Sequence, residues 1–114
     1  MQHEVKKIAL IVNELLTMLL FNGAEDVEIK VKKQGQSTEI VVVQHRNNND
    51  DQFVERLRNS LNNMREYEVE GYYWQLIGED DNGDELNLVG IMVDEACVER
   101  KGDDLYIRLL RTCS

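Results

Sequence analysis

The stretch VEIKVKKQGQSTEIVVVQ, residues 27–44, is the part of the sequence that decides the fold. Over residues 27–32 apolar side chains alternate with charged ones, which is the period of a strand with one buried face. Gln34-Gly35-Gln36 supplies a turn, and residues 38–44 are rich in β-branched side chains. The stretch therefore predicts an antiparallel hairpin, which is half of a small sheet.

Helical periodicity precedes this hairpin and follows it. Apolar residues recur every three or four positions before Asn22-Gly23, which supplies a left-handed stop. A polar loop, residues 47–51, ends in residues that cap helices. Gly71 weakens the helical pattern around it, because glycine is a poor helix former. The predicted helices cover residues 3–22, about 51–64, 67–77 and 86–95.

A second hairpin closes the chain, with strands over 97–100 and 105–110. The order of helix, hairpin, helices and hairpin predicts a two-layer α+β sandwich. We expect an antiparallel sheet of about four strands, a mixed sheet being the alternative, with three to four helices on one face. Without proline, repeats or a linker, residues 1–114 are expected to form one domain. Three residues out of phase with their neighbours predict that the second sheet face is partly covered: Val41, Val43 and Leu110.

The amino-acid composition and the start of the sequence indicate which classes of partner to expect and where the protein is located. The chain has 13 Lys+Arg and 22 Asp+Glu, a net charge of −9, which disfavours nucleic acid and an anionic membrane. The apolar run from Ile8 to Phe21 is shorter than the roughly 20 residues that span a bilayer. Cys97 and Cys113 have neither metal-ligand spacing nor the density of a disulfide framework. Since the start of the sequence lacks signal-peptide features, the cytoplasm is the expected location.

Four segments carry a family resemblance. Asn13-Glu14-Leu15-Leu16-Thr17 lies in the first helix, Ile40–Val43 in a strand, Leu86–Asp94 in a later helix and Val98–Leu110 in the closing hairpin. In this order they resemble the ATPase domain of the histidine kinase, gyrase and chaperone (GHKL) family. The short chain is most similar to the small bacterial serine-kinase and anti-sigma-factor branch. The resemblance implies a histidine-kinase-ATPase-like fold, a role in bacterial signalling and a nucleotide site between these segments.

The residues that the resemblance places around the nucleotide base and the metal are replaced. The asparagine that carries Mg²⁺ falls on Met18, whose thioether is a weak ligand for a hard cation. The aspartate that accepts the adenine amino group falls on Gln44, which exchanges a charged acceptor for a neutral amide. The glycines that follow fall on Arg46 and Asn48, whose side chains crowd a surface of bare backbone. Metal binding at Met18 is therefore expected to be lost.

The phosphate lid departs further from the family pattern. Gly83 is retained, but Asp84, Glu85 and Asn87 occupy the positions after it. A glycine-rich lid offers backbone N–H groups to anions, whereas two carboxylates repel a triphosphate. Glu14 matches a glutamate that activates the attacking hydroxyl in phosphorylating members, although a glutamate on the exposed edge of a core helix is the simpler interpretation. Ordinary ATP binding is not expected, and no cofactor or metal is predicted.

Other candidate sites are weaker. Asp80-Asp81-Asn82-Gly83-Asp84 resembles the start of a calcium loop but continues with Glu85 and Ile91 where glycine and glutamate are needed. A solvated turn that caps the next helix is the simpler interpretation. His45 could act as a base, yet no nucleophile can be placed beside it, and His3 lies near the terminus. Both are interpreted as surface histidines.

Two features suggest contact with another protein. Tyr72-Tyr73-Trp74 cannot be buried equally on one helix, so Tyr72 and Trp74 are candidate interaction residues, the alternative being two core rings and one surface ring. The apolar residues of the first helix cover more than one stripe and need a second layer, which another protomer would supply.

The predicted function is a non-catalytic regulatory or protein-interaction domain of bacterial signalling on an ATPase-like scaffold with a lost nucleotide site. Its partner would be a regulatory protein or a second copy of the chain. One alternative is a divergent ATP-dependent serine/threonine protein kinase of the anti-sigma-factor type, which would use Glu14 and Mg²⁺-ATP. The other is a sensor of a small ligand less charged than ATP.

Overall fold

The computed structural model describes residues 3–62, 64–73 and 85–113. In these ranges the helices are α1 (Glu4–Phe21), α2 (Asp51–Leu61), α3 (Tyr67–Tyr73) and α4 (Glu85–Gly90). The strands are β1 (Val27–Gln34), β2 (Ser37–Gln44), β3 (Glu95–Lys101) and β4 (Asp104–Thr112). The protein is α+β, as the sequence predicts.

Within the described residues the strands form one four-stranded antiparallel sheet in the order β1-β2-β4-β3. Both predicted hairpins are confirmed, with Val31 opposite Ile40 in the first and Val98 opposite Ile107 in the second. The hairpins join through β2 and β4, where Val42 lies opposite Ile107. The two central strands, β2 and β4, thus come from hairpins that are far apart in the sequence.

The helices lie on one face of this sheet. Along β2 every second residue is buried, ending with Gln44, and the residues between them are partly exposed. That alternation is the pattern of a sheet covered on one side. α4 packs against α1 and α2, and α2 also packs on β3. The outer face carries Val41, Val43 and Leu110, which are partly exposed among polar neighbours.

α1 forms and ends as the sequence predicts. Its buried stripe consists of Ile8, Ile11, Leu15 and Leu19. Gly23 has a φ of +93°, a left-handed conformation that glycine adopts without strain. The N–H of Ala24 then donates to the carbonyl of Leu19 at 3.0 Å, which satisfies one of the last carbonyls of the helix.

α2 is capped by Asp50, whose carboxylate accepts a hydrogen bond from the N–H of Phe53 at 2.9 Å. The predicted capping role of the preceding loop is confirmed. α2 ends at Leu61 rather than near Met64, and the Met64 side chain is exposed. Its buried face comprises Phe53, Val54, Leu57 and Leu61.

The helix predicted over residues 86–95 is shorter than its periodicity indicates. α4 ends at Gly90, and the N–H of Met92 donates to the carbonyl of Val89 at 3.0 Å in a tighter turn. The N–H of Asp94 already donates to the Leu110 carbonyl of β4 at 2.8 Å. Pairing with β4 therefore draws the chain into the sheet before a longer helix can form. The predicted 67–77 helix is seen as α3 up to Tyr73, and its last four positions lie outside the described residues.

Candidate functional site

The end of β2 and the segment after it carry three of the positions at which the resemblance places the nucleotide: Gln44, Arg46 and Asn48. Residues 45–50, the β2–α2 loop, cross the end of the sheet between β1 and β4. The N–H of His45 donates to the Asp26 carbonyl at 2.9 Å, and the N–H of Asn47 donates to the Asp103 carbonyl at 2.7 Å. The loop is thus fixed on both sides by backbone hydrogen bonds.

Gln44 points into the protein. It is 2% exposed, and its side-chain oxygen accepts a hydrogen bond from the Asn47 amide at 2.9 Å. Asn47 is itself buried, and its own side-chain oxygen accepts from the N–H of Asn49 at 3.1 Å. The amide oxygen that would replace the adenine-binding carboxylate is therefore engaged inside the chain.

Arg46 has a left-handed backbone conformation, with a φ of +59°. Its N–H donates to the Asp104 carboxylate at 3.2 Å, and its guanidinium pairs with Asp26 at 3.5 Å. Among the described residues other than glycine, Arg46 alone has a positive φ. A side chain here costs about 1–2 kcal/mol relative to glycine. Asn48, the next position of interest, is exposed.

Arg100 of β3 secures the same loop and had no sequence signal, because it lies about 50 residues away along the chain. Its guanidinium donates to the carbonyls of Asn47 and Asn49 at 3.2 and 2.7 Å. The Asn49 side chain in turn donates to the carbonyl of Asn22 at 3.2 Å. These contacts tie the β2–α2 loop to the end of α1.

His45 lies between two carboxylates at this end of the sheet. Its Nε2 is 2.6 Å from Glu28, and its Nδ1 is 3.1 Å from Asp104. The hydrogen bond with Glu28, followed by that with Asp104, raises the pKa of His45 above its usual value. These partners favour the imidazolium form, which is poorly suited to act as a base.

The helical candidates lie on α1 and α4. Met18 is partly buried and packs against the core, and Glu14 lies one turn earlier on α1, also partly buried. Asn87 is exposed on α4, which packs against α1. The β2–α2 loop meets α1 through the hydrogen bond from Asn49 to Asn22, one turn beyond Met18.

The lid residues Gly83 and Asp84 lie outside the described residues, as do Trp74 and the whole of the calcium-like segment, residues 80–84. Glu85 is the first residue of α4. Tyr72 lies on α3. The described residues therefore do not test the predictions for the lid and for the calcium-like loop.

The opposite end of the sheet contains a buried ionic cluster, made by Arg111, Glu70, Glu4, Lys7 and Arg65. Arg111 is 1% exposed and donates to Glu70 at 2.8 Å and to Glu4 at 2.8 and 2.9 Å. The Lys7 ammonium also donates to Glu70 at 2.8 Å. Burial alone would raise the pKa of Glu70, but the hydrogen bonds from Arg111 and Lys7 outweigh it and lower that pKa to about 2.

Arg65 extends this cluster toward β3. Its guanidinium donates to Asp94 at 2.9 Å and to Glu70 at 3.3 Å, and it lies 4.2 Å from the ring centre of Tyr67. Its Nη2 is buried without a hydrogen-bond partner among the described residues. Contact with an aromatic face partly compensates for such a donor. The cluster fixes α1, α3 and the end of β4 to one another.

A shallow cleft of about 150 Å³ opens beside this cluster. It lies at the start of β2, whereas Gln44 lies at the end of that strand. Its lining includes Glu4, Val5, Lys33, Gly35, Gln36, Thr38 and Cys113. The cleft is therefore separate from the positions at which the resemblance places nucleotide.

The described residues contain neither a metal-binding group nor a membrane-spanning helix. Within the described ranges, no group of three or more His, Cys, Asp or Glu side chains is arranged to hold a metal ion. In the same ranges, no helix has both the length and the apolar character needed to cross a membrane.

The sequence matches no protein-family model, and no curated protein matches it.

Proposed function

We propose that this chain is a non-catalytic protein-interaction domain of bacterial signalling. Its scaffold would resemble the histidine-kinase type of ATPase domain and would no longer hold nucleotide. The observation that carries the proposal is the engagement of Gln44. This side chain is buried, and its oxygen already accepts from Asn47 inside the protein, so an adenine ring could reach it only if the surrounding side chains moved apart.

The β2–α2 loop adds a second argument. Its backbone is held by Asp103 and Arg100, and its Asn49 side chain is held by the end of α1. A nucleotide entering here would displace several hydrogen bonds, each worth about 0.5–1.5 kcal/mol net. Because the protein's own groups occupy the hydrogen-bonding positions of this loop, we favour a structural scaffold over an open ligand pocket.

The charged residues at this end of the sheet also disfavour nucleotide binding. Asp26, Glu28, Asp103 and Asp104 surround the loop and outnumber the nearby cationic groups, which are His45, Arg46 and Arg100. A triphosphate near a carboxylate is repelled by roughly 1–4 kcal/mol per close pair of unit charges, depending on screening. Met18 is a poor ligand for Mg²⁺, so we do not expect that position to hold a metal ion that would offset this repulsion.

Arg46 supports the resemblance itself. The resemblance places a family glycine at this position, and Arg46 has the left-handed φ that glycine favours. An arginine in a glycine conformation is what we expect if the backbone path has been kept while its original chemistry has been replaced. This supports a degenerate scaffold rather than an unrelated fold.

Calorimetric titration of Mg²⁺-ATP and Mg²⁺-ADP into the purified chain tests the proposal. We expect no saturable heat up to about 1 mM nucleotide, a range that would reveal binding free energies of about −4 kcal/mol or stronger. Micromolar binding would overturn the proposal. Transfer of labelled phosphate to a protein substrate, lost in Glu14→Gln, would then establish the kinase alternative.

Two variants sharpen the titration. Met18→Asn restores the metal-binding side chain of the family, and adding Gln44→Asp restores its adenine acceptor. A matched control is Asn48→Ser, which changes an exposed loop residue without adding a metal or base ligand. If Met18→Asn alone gave tight Mg²⁺-ATP binding, the pocket would be nearly intact and our interpretation of the loop as closed would be wrong.

A further inference from the structure

α1 carries a second apolar stripe besides the one in the core. It consists of Val5, Ala9, Val12, Leu16 and Leu20, spaced by three or four residues. At about 100° per residue, this stripe lies about a quarter of a turn round the helix from Ile8, Ile11, Leu15 and Leu19. Val5 is 71% exposed, Leu20 is 54% exposed and Ala9 is also exposed, whereas Val12 and Leu16 are partly buried, Val12 against the core. We call these five residues the α1 stripe.

The stripe continues onto the neighbouring edge of the sheet. Val31 of β1 is 45% exposed, although its cross-strand partner Ile40 is fully buried. Since cross-strand partners point to the same side of a sheet, Val31 faces the helix layer at a place that the helices leave uncovered. On the same strand as Val31, Lys33 lines the cleft beside the ionic cluster, and Val5 of α1 lines that cleft too. Val5 and Val31 thus lie near the same edge of the sheet, with the exposed Lys33 between them.

We infer that the α1 stripe binds the α1 stripe of a second copy of this chain, with the two helices antiparallel. The inference deepens the proposed interaction function, on which it rests, by naming the partner. The spacing of the stripe is nearly symmetric about Val12. An antiparallel pair that crosses at Val12 therefore places Val5 opposite Leu20 and Ala9 opposite Leu16.

Side-chain size and charge both fit this arrangement. The small Ala9 faces the larger Leu16, which allows two helices to interlock. No charged residue lies within the stripe. Lys33 lies beside Val5, while the last turn of α1 contains no basic residue to offset its partial negative charge. Antiparallel pairing brings Lys33 of each copy to the uncompensated helix end of the other.

The symmetry of the pair makes it a closed dimer. An isologous interface uses the same patch on both copies, so no apolar stripe remains to recruit a third. One helix face with Val31 is a narrow patch, and small interfaces are typical of weak, transient association. The dimer is therefore a reversible one that forms in the micromolar range.

Sedimentation equilibrium of the full chain between about 1 and 500 µM tests the inference. We expect a reversible monomer–dimer equilibrium. Val5→Lys and Leu20→Glu each replace an exposed stripe residue and should weaken the dimer by at least about tenfold. A mixture of these two variants places the new lysine opposite the new glutamate and leaves the other contact native, so the mixture should dimerise again.

Phe21→Ser is the matched control, because Phe21 is an exposed apolar residue on the same helix but lies well away from the stripe. It should leave the dimer unchanged, and circular dichroism should show that all three variants are folded. A wild-type chain that stays monomeric at the highest concentration would overturn the inference. So would a mixture that fails to dimerise, or a control that weakens the dimer as much as Val5→Lys does. None of these results affects the nucleotide titration, which tests the proposed function separately.

Discussion

Arg111 and Glu70 form a buried ion pair at 2.8 Å that links β4 to α3. The two side chains are 1% and 4% exposed. Arg111 also donates to Glu4 at the start of α1 and to the carbonyl of Met92, so one guanidinium joins four parts of the chain. Breaking such a pair leaves an uncompensated buried charge, which costs more than the pair itself contributes.

Glu70→Gln is expected to lower the free energy of unfolding by about 3 kcal/mol, because Arg111 then has only Glu4 as a counter-charge and Lys7 loses its carboxylate partner. Urea denaturation followed by circular dichroism measures the change. Glu68→Gln is the matched control on the same helix, since Glu68 is exposed and its loss should change stability by less than about 0.5 kcal/mol. Equal effects of the two substitutions would show that the pair contributes little.

Acid should destabilise the protein through the same cluster. The pKa of Glu70 is lowered from an ordinary value of 4.5 to about 2, and hydrogen bonds from Arg111 also lower the pKa of Glu4. A depressed folded-state pKa adds stability that is complete above about pH 4.5 and is lost as the pH falls toward 2. Glu70 alone contributes up to about 3 kcal/mol of this loss. The slope of unfolding free energy against pH in this window should become shallower in Glu70→Gln, and an unchanged slope would contradict the assignment.

His45 should act in the opposite direction at higher pH. Its pKa is raised, first by Glu28 and then by Asp104, so its contribution is present below about pH 6.5 and disappears as the pH rises through the raised pKa. Nuclear magnetic resonance titration of His45 in a His3→Ala background measures the shift. Glu28→Gln and Asp104→Asn should each bring the pKa of His45 down toward its ordinary value. A pKa that neither substitution moves would exclude these carboxylates as its cause.

Arg46 offers a test of backbone strain. Arg46→Gly and Arg46→Val both remove the exposed ion pair with Asp26, which is worth at most about 1 kcal/mol. Glycine adopts the left-handed φ freely, whereas a β-branched valine does not. We expect the glycine variant to be more stable than the valine variant by about 1–2 kcal/mol. Thermal unfolding compares them, and equal stabilities would mean that the loop adjusts its conformation.

The cap of α2 gives a smaller and local effect. Asp50→Ala removes the carboxylate that accepts from the N–H of Phe53, and we expect a loss of about 1 kcal/mol of unfolding free energy. Asp51→Ala is the neighbouring control, since Asp51 lies in the first turn and is exposed. Denaturant unfolding of both variants distinguishes loss of the cap from loss of a nearby negative charge.

The sequence by itself determined the elements that depend on local chemistry. Alternation fixed both hairpins, because a strand with one buried face repeats every two residues. The stop at Gly23 and the cap at Asp50 could be predicted because each depends on residues within one helical turn. The same alternation places Arg111 in phase with Leu105, Ile107 and Leu109, so an inward-facing charge was visible in principle, although its partners were not.

Only the tertiary structure decided how distant segments meet. The pairing of β2 with β4, the engagement of Arg111 with Glu4 across 107 positions and the hold of Arg100 on the β2–α2 loop all join residues far apart in sequence. Such contacts leave no periodic signal, because each depends on the packed geometry of several elements. The early end of α4 has the same origin: its sequence favours a longer helix, and the hydrogen bond from Asp94 to Leu110 in β4 takes those residues into the sheet instead.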